Sequence, residues 1–146
     1  MKKHLYAITA AASLLSTSAL AEVLVKDAWV RATPGAAKVS AGYAVLVNTG
    51  PSDDLLTGAR TPAASMAEVH ATVGADGIMR MEKLEELVVP AGKEVALAPG
   101  SYHIMIMGLN GPLKVGEKIP LVLTFKNQGE VEVTAEVRPL ASRGMK

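Results

Sequence analysis

The residues with the most distinctive chemistry lie in a short segment near the centre of the chain. Between Ser101 and Gly108, a histidine and two methionines, His103, Met105 and Met107, alternate with isoleucines. Successive side chains of a β-strand point to opposite faces, so these three would share one face and the isoleucines the other. The isoleucine face suits a core. The other face offers an imidazole and two thioethers, which are ligands for a soft metal ion.

A second segment offers the same side-chain types. Residues 65–73 alternate so that His70 lies on the more polar face, and the turn from Gly74 to Gly77 leads into a return strand that carries Met79 and Met81. The pattern predicts a hairpin over residues 65–81. A lone histidine on a strand usually has a structural role, and methionine commonly fills gaps in cores. The joint arrangement favours a metal site instead.

The elements that must position these residues are predicted to be strands. Alternating apolar segments, each bounded by Gly, Pro, Asn or Asp, recur along the chain. A hairpin with one polar face is predicted at Ile119–Val137, and the stretch Met81–Leu87 remains ambiguous because it is rich in helix formers. With eight or nine short strands and no long helix, the sequence predicts an all-β, antiparallel β-sandwich or barrel.

The two ends of the chain are expected to lie outside this domain. Lys2 and Lys3 precede an apolar run that ends at Ala19-Leu20-Ala21, the pattern of a cleaved signal peptide, so residues 1–21 are predicted to be removed. The run is too short to span a bilayer, which takes about 20 apolar residues. The sequence thus predicts export, a single domain over residues 22–138 and a short flexible tail over residues 139–146.

Charge and cysteine content exclude several functions. Without Lys2 and Lys3, 13 basic residues face 14 acidic ones, so a domain with no basic run gives no basis for binding nucleic acid. The sequence contains no cysteine. That excludes blue-copper centres, iron–sulfur clusters and cysteine nucleophiles, and we also expect no lipoprotein-type membrane anchor. The polar-faced hairpins give no reason to expect more than a monomer.

The spacing of the histidines and methionines resembles a known signature. His70, Met81, His103 and Met105 follow a His-x10-Met-x21-His-x-Met pattern, which is that of the PCu(A)C family of periplasmic copper chaperones. Further similarity to the family covers almost the whole chain after residue 21, including Asp27–Arg31, Ser40–Tyr43, Glu68–His70, Gly77–Met81 and Leu97–Leu109.

The resemblance implies a fold, a ligand set and a pathway. It implies a cupredoxin-like β-sandwich with Greek-key topology that binds one Cu(I) through His70, Met81, His103 and Met105. It also implies delivery of copper toward the CuA centre of cytochrome c oxidase subunit II, alongside a Sco-type thioredoxin-fold protein. The tail holds only Met145, so a second copper site there is not expected. Copper storage or resistance is an alternative role.

The neighbours of the four implied ligands have their own expected roles. By strand parity Met79 and Met107 lie beside Met81 and Met105, and we expect them to form an apolar rim that keeps water from the metal. Glu68 shares a face with His70 and is expected to orient it. Because protons compete for the two imidazoles, Cu(I) affinity should fall as the pH drops through about 6.5.

Two other classes of function are weighed against copper binding. A zinc hydrolase could use His70, His103 and Glu68 with an open position for water, but it leaves the methionines unexplained. A metal-free adhesion or assembly module would place the two histidines far apart. A serine-type enzyme has less support, because neither histidine lies in a recognisable nucleophile context. We therefore expect a binding protein rather than an enzyme.

Overall fold

The computed structural model describes residues 22–139, which form ten β-strands. In chain order these are β1 (Val23–Arg31), β2 (Val39–Asn48), β3 (Asp54–Arg60), β4 (Ala64–Ala75), β5 (Ile78–Lys83), β6 (Leu87–Val89), β7 (Glu94–Leu97), β8 (Tyr102–Leu109), β9 (Lys118–Phe125) and β10 (Gly129–Arg138). The expected signal peptide and residues 140–146 of the expected tail lie outside the described residues. Within residues 22–139 no helix is long and apolar enough to cross a membrane.

The strands pair side by side until the sheet closes on itself. Their order is β5-β4-β8-β7-β2-β1-β10-β9-β3-β6, and further pairings join β8 to β2 and β4 to β3. The contact of β3 with β4 closes a ring, while β5, β6 and β7 extend it at the sides. The expectation of an all-β sandwich or barrel is confirmed. The pairing is mixed, however, because β1 runs parallel to β10 and β7 parallel to β8.

The core fills the inside of this ring. The inward side chains of β8 and β4, Ile104, Ile106 and Val69, are fully or almost fully buried, as are Leu121 and Leu123 of β9. Burial of a large aliphatic side chain contributes roughly 1.5–3 kcal/mol, so these strands are held firmly from inside. Their outward side chains are thereby fixed in position.

One strand more than the expected eight or nine is present. The extra strand, β6, has three residues and pairs with Asp54–Leu56 of β3. Leu87 and Val89 are buried and Val88 is exposed, which is the alternation of a strand. The sequence did not predict this strand because three alternating residues that follow a run of helix formers are too few to distinguish a strand from a helix. The ambiguous segment thus contains no helix within the described residues.

A β-bulge in β1 reverses which side chains face outward. The register against β2 shifts between Lys26 and Trp29, and Asp27 adopts a left-handed backbone conformation with φ 50°. Before the bulge Val23 points inward; after it Val30 does. A bulge shifts the inward and outward alternation of the side chains that follow it, and here it places Trp29 and Arg31 on the outer face.

Candidate metal centre

The strands β4, β5 and β8 lie next to one another and bring the two histidine-containing segments together. His70 of β4 pairs directly with His103 of β8, and Met105 pairs with Glu68. On the other side of β4, Met81 of β5 pairs with Thr72. Paired residues on neighbouring strands point to the same face. His70, His103, Met105 and Met81 therefore share the outer face, as the alternation predicted, and the metal-free alternative that separates the histidines is not supported.

The two ring nitrogens of His70 have different surroundings. Its Nε2 lies 2.9 Å from Oε2 of Glu68. An ionised carboxylate only accepts hydrogen bonds, so Nε2 carries the proton of the neutral ring and Nδ1 keeps its lone pair. Nδ1 is buried and has no hydrogen-bond partner among the described residues. A buried lone pair without a partner is suited to a metal ion.

The imidazole of His103 is held in the complementary way. Its Nδ1 donates to the carbonyl oxygen of Ser101 at 3.3 Å, which leaves the lone pair on Nε2. Nε2 is buried and unpartnered within residues 22–139. The residue is only 4% exposed, and this burial lowers the pKa of His103, with smaller contributions in the same direction from His70 and Arg31. The ring is thus kept neutral and able to coordinate.

Glu68 orients His70, as expected from their shared face. The hydrogen bond from His70 lowers the pKa of Glu68, and the Nζ of Lys83, 3.6 Å from the other carboxylate oxygen, acts in the same direction. The carboxylate therefore stays ionised and fixes both the tautomer and the orientation of the ring, the usual role of a carboxylate behind a metal-binding histidine. The two imidazole rings lie with their centroids 5.8 Å apart.

The methionines divide into two groups. Met81 and Met105 line a cavity of about 340 Å³ together with His103. Met79 is 64% exposed and packs its sulfur over Gly74, where a Cβ would collide with it. Met107 pairs with Met66 and does not line the cavity. The geometry groups the two thioethers implied by the resemblance with His103 and leaves the other two at the margin.

Arg31 and Tyr43 are cavity residues that the sequence analysis missed. An Nη of Arg31 donates to the phenol oxygen of Tyr43 at 3.0 Å, and both side chains line the same cavity as Met81, His103 and Met105. The alternation of β2 could have placed Tyr43 on the face of Val39 and Ala41. Arg31 could not have been found in this way, because the bulge at Asp27 changes the parity of β1.

The zinc-hydrolase alternative gains no support from the geometry. Within residues 22–139 no three His, Asp or Glu side chains come together as a metal site. Glu68 bonds to Nε2 of His70, on the side of the ring away from the lone pair of Nδ1. A catalytic zinc commonly has three nitrogen or oxygen ligands from the protein, whereas the groups beside these histidines are thioethers.

Comparison with known proteins identifies a family. The model of the LpqE-like family, described as "Putative lipoprotein LpqE-like", matches residues 23–137. A relative from Leifsonia xyli subsp. xyli, "Putative lipoprotein Lxx21020", is 36% identical over 117 residues, which cover 80% of this chain and 69% of the relative.

Solved structures with the same fold bind copper. The Cu(I) form of DR1885 from Deinococcus radiodurans superposes with a TM-score of 0.68 at 32% identity, covering 90% of this chain and 87% of DR1885. The copper-bound PCuAC domain of PmoF2 gives a TM-score of 0.70 at 22% identity, covering 83% of this chain and 96% of that domain. The second likeness shows the fold alone.

Proposed function

The chain belongs to the LpqE-like family, and we propose that it is a copper chaperone that binds one Cu(I) ion through His70, Met81, His103 and Met105. The observation that carries the proposal is the pair of imidazoles. In each ring one nitrogen contacts an oxygen acceptor, and the other nitrogen is buried and has no hydrogen-bond partner among the described residues. Two thioethers share their face.

The donor types favour Cu(I) over other ions. Cu(I) is soft and accepts thioethers and imidazoles without requiring a planar geometry, while harder ions gain little from methionine. None of the four side chains has to lose a proton from its neutral form to coordinate. Thioethers also cannot form disulfides, so the site would persist in an oxidising compartment, although methionine can be oxidised to the sulfoxide. The Cu(I) form of DR1885, at 32% identity, supports the same ion.

Unequal exposure of the ligands suits transfer by ligand exchange. Met81 is 58% exposed and lies on β5, a strand at the end of the sheet order, whereas His103 is buried in β8. A recipient's ligand would first replace the exposed thioether, because its approach requires no movement of the core. The buried imidazole would be the last ligand to leave. Met79 and Met107 would form an apolar margin around the exchange.

We further infer the biological setting from the resemblance. The protein would be exported to the periplasm, act as a monomer and deliver copper toward the CuA centre of cytochrome c oxidase subunit II, alongside a Sco-type protein. The sandwich would be of the cupredoxin-like Greek-key type. Storage of copper is the second candidate role. Transfer of the bound Cu(I) to an apo CuA domain supports delivery, and retention of the ion in its presence supports storage.

An anaerobic competition titration against a chromophoric Cu(I) chelator tests the proposal. The unaltered protein should withdraw one equivalent of Cu(I), and the double variant His103→Ala, Met105→Ala should not compete. The matched control is Glu132→Ala, Thr134→Ala, which removes two outward side chains at the same spacing from β10. Tight uptake that survives the His103 and Met105 substitutions, or a preference for Zn(II) over Cu(I), would refute the assignment.

A further inference from the structure

The cavity beside the candidate copper site is lined in part by the guanidinium-bearing side chain of Arg31. Arg31 lies in its wall, and among residues 22–139 it forms no ion pair with a carboxylate. One Nη donates to Tyr43, and Nε is buried without a hydrogen-bond partner. A guanidinium has five N–H donors arranged to meet a carboxylate through two parallel hydrogen bonds. Arg31 therefore has unused donors in a half-enclosed site.

Arg138, on the same outer face, shows that this arrangement is unusual within the protein. Both arginines lie against the tilted aromatic pair of Trp29 and Tyr43, with the Arg31 guanidinium 5.9 Å from the Tyr43 ring centroid and that of Arg138 5.7 Å from the Trp29 ring centroid. Arg138, however, is held by Asp27 at 2.7 Å and by Glu136 at 3.7 Å. The positive charge of Arg138 is thus balanced by two carboxylates, whereas no carboxylate of residues 22–139 pairs with Arg31.

The contents of the cavity indicate what would balance the charge. Tyr43 accepts its hydrogen bond from Arg31, so its own hydroxyl proton is available for donation, and Thr72 lines the same cavity. These donors and the guanidinium favour an anion that accepts several hydrogen bonds. A volume of about 340 Å³ accommodates a short side chain or a small organic acid. A carboxylate meets these requirements.

We propose that this cavity binds a carboxylate group, anchored by Arg31, directly beside the metal ligands Met81, His103 and Met105. The further effect on copper rests on the proposed function: four neutral ligands leave the charge of Cu(I) unbalanced close to Arg31. A bound carboxylate would face both positive charges, so it should raise Cu(I) affinity, and by linkage Cu(I) should raise carboxylate affinity by the same factor. Copper loading and anion binding would then be coupled.

The test is an NMR titration of the protein spanning residues 22–146, first without copper. Two probes distinguish the source of the carboxylate: acetate stands for a small organic acid, and the blocked peptide N-acetyl-Gly-Glu-Gly-amide stands for an acidic side chain of a partner. Saturable shifts of the Arg31 Nε–H resonance and of the Gly100 amide are expected with at least one probe. Arg31→Gln should weaken binding roughly tenfold or more, as expected when a charge-assisted hydrogen bond is lost.

Controls keep the result interpretable. Arg138→Gln removes the other arginine that lies over this aromatic pair and should leave binding unchanged. Arg31→Lys retains a positive charge without the forked donors, and should bind more weakly than the unaltered protein even if Arg31→Gln fails to fold. Absence of saturable shifts with both probes, or equal affinities in the Arg31→Lys and unaltered proteins, would overturn the proposal. Because this titration needs no copper, its outcome is independent of the Cu(I) competition experiment.

Discussion

Two antiparallel strand pairs of this molecule are built alike on the inside and differently on the outside. In β4–β8, Val69 and Ile104 face the core, and in β9–β10 Leu121 and Ala135 do. The outer face of β9–β10 carries glutamates and threonines in contact with water, where Glu130 pairs with Arg60 in the open. The outer face of β4–β8 instead holds imidazole nitrogens that are buried and unpartnered among the described residues.

The outer face of β9–β10 is merely polar, whereas the outer face of β4–β8 has groups that could bind a ligand. Groups that already have partners or contact water gain little from a ligand. A buried lone pair without a partner carries a desolvation cost of roughly 1–3 kcal/mol until something binds it. The β4–β8 face therefore has free energy to gain from a metal ion, and the β9–β10 face has not.

Removing the buried imidazole should have the largest effect. We expect His103→Ala to lower Cu(I) affinity more than about 100-fold, beyond the roughly 10–100-fold typical of residues that only support a ligand. Chelator competition measures the change. Thr134→Ala on β10 is the matched outer-face control and should leave the affinity unchanged. A comparable loss in the control would show that the two faces do not differ as described.

The two methionines of β5 should behave differently despite their shared face. Met81→Leu removes a thioether in the cavity at nearly constant volume, and we expect a loss of Cu(I) affinity of roughly tenfold or more. Met79→Leu should change the affinity less than about threefold, because this sulfur packs over Gly74 outside the cavity. Equal effects of the two substitutions in the same titration would show that Met81 contributes no more to copper binding than Met79 does.

Loss of the carboxylate behind His70 should have an intermediate effect. Glu68→Gln keeps the shape but removes the charge that fixes the tautomer, and Cu(I) affinity should drop about tenfold. Glu132→Gln on β10 is the control for the charge change. The imidazole ¹⁵N chemical shifts of apo-protein should show a mixture of tautomers for His70 in the variant. A single unchanged tautomer would mean that Glu68 does not orient the ring.

The smallest effect concerns the stability of the apo-protein. Burial lowers the pKa of His103, so the unfolded chain takes up a proton there near pH 6.5 while the folded protein does not. This contribution to the free energy of unfolding is present above about pH 6.5 and is lost as the pH falls below it. Urea unfolding between pH 7.5 and 5.5 should show the decline, and His103→Asn should reduce it. An identical pH dependence in both proteins would contradict it.

The same lowered pKa refines the expected pH dependence of copper binding. Proton competition at His103 should begin below the ordinary histidine value rather than at it, because burial disfavours the charged ring. Cu(I) affinity should thus still decline on acidification, as expected from two histidine ligands. A flat affinity between pH 7.5 and 5 would contradict the participation of the imidazoles.

Alternation along single strands was enough to predict much of the site. The period of two placed His103 and Met105 opposite Ile104, and the turn at Gly74–Gly77 brought Met81 beside β4. The strand alternation and the turn depend only on local geometry and on burial of the apolar face, and both can be read from the order of residue types in the sequence. The assignment of Met81 and Met105 over Met79 and Met107 came from the family resemblance rather than from periodicity.

Features that depend on distant partners could not be predicted in this way. The bulge at Asp27 turns Arg31 toward the cavity, and nothing in the local alternation of β1 signals it. The parallel pairing of β1 with β10 joins opposite ends of the domain. The tautomer of His103 is fixed by the backbone carbonyl of Ser101, and a backbone contact of this kind cannot be inferred from the residue type. The cavity beside the ligands therefore became visible only in the assembled fold.

The most direct test of the central claim is the X-ray absorption spectrum of the protein loaded with one equivalent of Cu(I). We expect a copper ion with two nitrogen and two sulfur neighbours, and the sulfur contribution should fall by half in Met105→Leu. Glu132→Ala on β10 should leave the spectrum unchanged. A first coordination shell of nitrogen and oxygen only, or a sulfur contribution that persists in full after Met105 is replaced, would contradict it.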